Sequence, residues 1–87
     1  MDFQELKFIE NFYGPKYVKF NKYTIEITSN TYGSYVLFYE NNKPTKYNFM
    51  ENFFNIKVYC NKDNNILLSG NNYKNENNMK IIDLINN

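Results

Sequence analysis

The first thirteen positions carry apolar residues at steps of three and four: Phe3, Leu6, Ile9, Phe12 and Tyr13. That spacing predicts an amphipathic helix over 2–13. Asp2 can cap its start, with Glu5 three residues on completing a capping box. Gly14 supplies a left-handed stop and Pro15 forbids continuation. Phe8 lies off the centre of the stripe.

From Lys16 the period falls to two. Val18 and Phe20 alternate with Tyr17 and Lys19, and Tyr23, Ile25 and Ile27 alternate with Thr24, Glu26 and Thr28. The two series have opposite parity, so either a tight hairpin turn or a bulge belongs at Asn21-Lys22, and the hairpin is the better fit. A turn over 29–33 leads to a strongly apolar strand over 34–40. Asn41 to Pro44 form the next turn, and 45–49 form a short strand or an irregular crossing. Phe54, Ile56, Val58 and Cys60 then alternate with Asn55, Lys57 and Tyr59. A hairpin loop over 61–65 precedes a last short strand at 66–68, ended by Gly70. An Asn-rich loop leads to a short C-terminal helix over 79–85, with Ile81, Ile82, Leu84 and Ile85 on its buried side.

The expected fold class is therefore α+β. An N-terminal helix, a four- to five-stranded antiparallel sheet and a short C-terminal helix make one two-layer domain over 1–87, with both helices on one face. The expected core is Phe3, Phe12, Phe20, Ile25, Ile27, Val36, Phe38, Phe54, Ile56, Val58 and Ile82.

Parity then fixes the uncovered face. It carries Tyr17, Lys19, Tyr35, Leu37, Tyr39, Lys57 and Tyr59, with Thr24, Glu26, Thr28 and Asn55 between them. Tyrosine combines a large rigid contact area with a polar tip, which suits a protein interface and also base stacking. These seven residues are the candidate partner-binding set. The plainer alternative is that tyrosine is simply common here and suits a half-exposed sheet.

Composition narrows the chemistry. Among 87 residues there are 18 Asn, 9 Tyr and 8 Phe, while Arg, His, Trp and Ala are absent. The commonest residues have A- and T-rich codons, which points to a low-GC genome. Without His there is no Ser-His-Asp or Cys-His pair. Lone Cys60 closes neither a disulfide nor a structural zinc site. No glycine-rich phosphate loop is possible with three scattered glycines. The expectation is a non-enzymatic chain with no metal and no cofactor.

A net charge of +1 fits neither a strongly basic nucleic-acid protein nor an acidic DNA mimic. Asp63 among Asn61, Asn64 and Asn65 lacks the alternating acids and closing Glu of a calcium loop, so it reads as a turn. The stretch 34–38 matches the second half of the strand signature of RNA-recognition domains, but the first half fails at Tyr32 and Gly33. The acidic start lacks the basic region of a signal peptide, and no apolar run approaches a membrane span. The expected setting is a reducing cytosol, bacterial or of an infected host, with no membrane partner. The expected partner is another protein or a ribonucleoprotein. Small single-domain chains of AT-rich phages and mobile elements often act as stoichiometric inhibitors of host machines, anti-CRISPR proteins among them. Steric or allosteric occlusion through aromatic contacts is the corresponding mechanism. The alternatives are a single-stranded nucleic-acid binder and a small subunit or homo-oligomer component.

Overall fold

The computed structural model describes residues 2–10 and 14–84. Among them there is no helix; two antiparallel sheets account for the architecture, and the α+β expectation is corrected to all-β. The strands are β1 (Gln4–Leu6), β2 (Ile9–Glu10), β3 (Lys16–Phe20), β4 (Tyr23–Asn30), β5 (Gly33–Glu40), β6 (Lys43–Pro44), β7 (Phe49–Glu51), β8 (Phe54–Cys60), β9 (Asn65–Asn71) and β10 (Asn77–Asp83). One sheet has the order β1-β8-β9-β10. The other has the order β2-β3-β4-β5-β6, with β7 also on β5.

The inner faces meet in one core. Val18, Ile25, Val36 and Phe38 from one sheet and Val58, Ile66 and Leu68 from the other are fully buried, with Phe53 at the crossing between them. Each sheet thus does the covering that two helices were expected to do. Of the expected core, Ile25, Ile27, Val36, Phe38, Ile56, Val58 and Ile82 are buried, whereas Phe3 and Phe54 are only half-buried. Phe20 packs against the core as a partly buried side chain. Phe12 lies outside the described residues.

Both expected helices fail for identifiable reasons. At the N-terminus β1 pairs with β8 and β2 with β3, so the segment changes sheets around Lys7-Phe8. Alternation sends Leu6 and Phe8 against the core. Phe8, off the helical stripe, is therefore the anchor, and Ile9, on the stripe, is 47% exposed. At the C-terminus β10 runs antiparallel to β9, from Asn77 opposite Asn71 to Asp83 opposite Asn65. Ile82 and Leu84 are buried while Met79 and Ile81 face solvent. Seven residues are too few for periodicity to separate helix from strand, and a β-branched Ile pair favours the strand.

Asn replaces Gly at the turns. The non-glycine residues with positive φ are Asn21, Asn41, Asn42, Asn55, Asn64 and Asn75. Asn tolerates the left-handed region because its short amide bonds locally with the backbone. Asn21 makes the two-residue β3–β4 turn, so that segment is the expected hairpin. Asn55 sits where the β8–β9 register slips between Phe54 and Lys57, the position of a bulge. Gly70, expected to end its strand, lies inside β9 opposite that bulge. A Cβ there would come within 2.6 Å of Phe53 Cδ2 and of the Phe54 carbonyl oxygen.

Side chains patch the remaining gaps. Between its pairings to β6 and β7, β5 leaves Phe38 unpaired on its outer edge; Phe38 N–H donates to Asn48 Oδ1 (2.9 Å) and Phe38 C=O accepts from Thr45 N–H (3.0 Å). Buried Asn61 accepts from the N–H groups of Asp63 and Asn65, both at 3.0 Å, and so organises the β8–β9 turn.

Candidate functional site

The register of the six-stranded sheet assembles a solvent-facing surface in three rows. Ile9, Tyr17, Glu26 and Leu37 face one another across β2, β3, β4 and β5. Lys19, Thr24, Tyr39 and Pro44 form the second row across β3 to β6. Thr28, Tyr35 and Met50 form the third across β4, β5 and β7. Side chains on one face of neighbouring rows lie within reach of long residues, so the rows form one surface.

Five of the seven candidate residues share this face: Tyr17, Lys19, Tyr35, Leu37 and Tyr39. Lys57 and Tyr59 do not. They point outward, since Ile56 and Val58 beside them are buried, but from β8 of the other sheet, on the opposite side of the sandwich. There Tyr59 lies between Glu5 and Leu67, with Ile81 beyond Leu67, and Lys57 lies beside Ser69 and Met79. The single outer face expected from strand parity is two faces, because the strands belong to two sheets.

Sequence reasoning missed Ile9, Pro44 and Met50. Ile9 was absorbed by the helical stripe and Pro44 by a turn. Met50 stands between two half-buried residues, Phe49 and Glu51, an alternation too short to mark a strand alone. Tyr35 is 47% exposed and Met50 40%, so the third row offers the most open apolar contact.

Chemical groups elsewhere are committed to structure. Tyr23 has its phenol pKa raised by burial and then by Glu40 beside it. Tyr47, in contact with Phe38 and Tyr23, is raised by burial and then by the Tyr23, Asp83 and Glu40 charges. Burial likewise pushes the Cys60 thiol up, which holds it in the un-nucleophilic form. A shallow cleft beside it is lined by Asp2, Gln4, Asn61, Lys62 and Asp63. Asn61 Oδ1, its buried polar acceptor, is already spent on two backbone N–H groups.

Comparison with known proteins finds no match to a family model, to a curated protein or to a solved structure. No helix among the described residues is long and apolar enough to cross a membrane.

Proposed function

We propose that this chain is a non-enzymatic binding module that acts by covering a partner protein's surface with the outer face of its six-stranded sheet. The carrying observation is the convergence of Tyr17, Tyr35, Leu37, Tyr39 and Met50 on one face. Phenols and a thioether on rigid strands give contact area at small entropic cost. Lys19 and Glu26 put one charge of each sign among them, which suits a mixed protein surface. A polyphosphate partner is less well served, because Lys57, the other lysine of the candidate set, stands on the other sheet. Occlusion of a host protein machine by a small phage or mobile-element inhibitor is the specific form of this reading.

The test is co-purification from lysate of the source organism's host or own cells, with wild type and the Tyr35→Ala, Tyr39→Ala double variant side by side. Both side chains lie on the outer face, so the variant should keep its fold. The expected result is a stoichiometric partner held by wild type and lost by the variant. Equal retention by a well-folded variant would refute the proposal. Capture of oligonucleotides with affinity falling steeply in salt would favour the nucleic-acid alternative instead.

A further inference from the structure

The four-stranded sheet ends on β10, whose outer edge pairs with no strand among the described residues. Its hydrogen-bonding phase follows from two bonds flanking the ladder. Asn72 N–H donates to Glu76 C=O and Leu84 N–H to Asn64 C=O, both at 3.0 Å. Both continue the register that sets Asn77 opposite Asn71 and Asp83 opposite Asn65. Bonded and non-bonded pairs alternate in an antiparallel ladder. Asn78, Lys80 and Ile82 therefore bond to β9, while Asn77, Met79, Ile81 and Asp83 aim their backbone N–H and C=O at the open edge. These same residues put their side chains on the outer face, where Met79 is 67% and Ile81 61% exposed.

We propose that this edge pairs with the same edge of a second copy, the two β10 strands running antiparallel about a two-fold axis at Lys80. The edge is self-complementary in the sense a two-fold axis requires. Its outward-bonding residues are placed symmetrically about Lys80, so reversing the strand preserves the bonding phase. Met79 then faces the second copy's Ile81, and Asn77 faces the second copy's Asp83. The four-stranded sheets merge into one of eight strands, with Met79, Ile81 and Leu67 of both copies in a shared apolar strip.

An inward-turned lysine on an edge strand ordinarily blocks such pairing, because a docking strand would strip water from its charge. Here that guard is disarmed. Lys80 Nζ lies 2.6 Å from Glu51 Oε1 on β7 and 4.3 Å from the centroid of the Phe49 ring. Its charge is balanced within its own chain before a second copy arrives. This pairing uses none of the residues of the phenolic face, so the two proposals stand or fall separately.

The test is sedimentation equilibrium of the full chain across the micromolar range, the range expected of an interface below standard size. Wild type should pass from 10.5 kDa to twice that mass as concentration rises. A Met79→Lys, Ile81→Lys variant should remain at the monomer mass throughout, with unchanged circular dichroism, and the Tyr35→Ala, Tyr39→Ala variant should dimerise as wild type does. A wild type that stays monomeric overturns the proposal. So does a dimer that survives the β10 lysines, or one abolished by the tyrosine variant alone.

Discussion

Replacing Tyr47 with Phe should stabilise this protein. The Tyr47 hydroxyl is buried and has no hydrogen-bond partner. Its ring makes a tilted contact with Phe38 at 5.7 Å and an edge contact with Tyr23 at 6.5 Å. A phenylalanine keeps both contacts and opens no cavity beyond one oxygen atom. What it removes is the cost of desolvating an unpartnered hydroxyl, about 1–3 kcal/mol. Tyr47 is only half-buried as a residue, so the gain belongs at the low end, about 1 kcal/mol. For a domain of this size that is a rise of roughly 4–8 °C in Tm. Tyr23→Phe is the internal control, because the Tyr23 hydroxyl, unlike that of Tyr47, interacts with the Glu40 carboxylate beside it. Its loss should cost about 0.5–1.5 kcal/mol. Differential scanning calorimetry of the two variants should give shifts of opposite sign. A Tyr47→Phe variant with unchanged or lowered Tm would mean the hydroxyl finds a partner in solution, and the reasoning from its isolation would be wrong.

The alkaline limb of stability should depend on the same two phenols. Both have folded pKa values raised above 10, so their contribution is complete below the unfolded value, about 10, and is lost as pH rises through the folded values. Unfolding followed by tyrosinate absorbance should therefore begin above pH about 10 and be less steep in Tyr47→Phe. Phe38→Ala, at a fully buried site, should cost about 3–5 kcal/mol by chemical denaturation, and a smaller loss would mean the core closes around the gap. Gly70→Ala should cost about 1–3 kcal/mol by the same measurement, because the new methyl meets the Phe53 ring and the Phe54 carbonyl. Gly33→Ala, at φ +150° with its Cβ driven into the Glu51 carbonyl, should cost at least as much.

The middle of the chain was legible because strand alternation and turn chemistry agreed there. Val18 against Lys19, Ile25 against Glu26 and Val58 against Lys57 each name an inside and an outside, and the structure keeps all three. The ends were not legible, because an apolar spacing of three fits a helix and also a strand that bends between sheets. Phe3, Leu6 and Ile9 satisfy the helical template, but the force that decides is the cover available to each sheet's inner face. A chain with two sheets covers the inner face of each with the other, so neither inner face is left for a helix. The candidate surface was legible to the same extent: parity identifies outward residues one strand at a time. It says nothing of which sheet a strand joins, which is why Lys57 and Tyr59 were grouped with tyrosines on the far side.

Asparagine connects the composition to this architecture. The chain carries 18 Asn against 3 Gly, and a sandwich of short antiparallel strands needs many left-handed turn positions. Six left-handed positions are filled by Asn, five at turns and Asn55 at the β8 bulge, and at two of the turns a different Asn bonds the backbone as well. Asn72 Oδ1 accepts from the N–H groups of Lys74 and Glu76, and Asn61 Oδ1 from those of Asp63 and Asn65. Glycine would satisfy the backbone angle of Asn64 and Asn75 in these turns, but it has no side chain to make the bonds of Asn61 and Asn72. The Asn-rich loop before β10 is thus the hydrogen-bonded start of a strand, and reading it as a solvated connection is what left room for a helix beyond it. With that turn fixed, alternation carries Lys80, Ile82 and Leu84 toward the core and leaves Met79 and Ile81 in water. The edge on which self-association is proposed is therefore a consequence of the turn that precedes it.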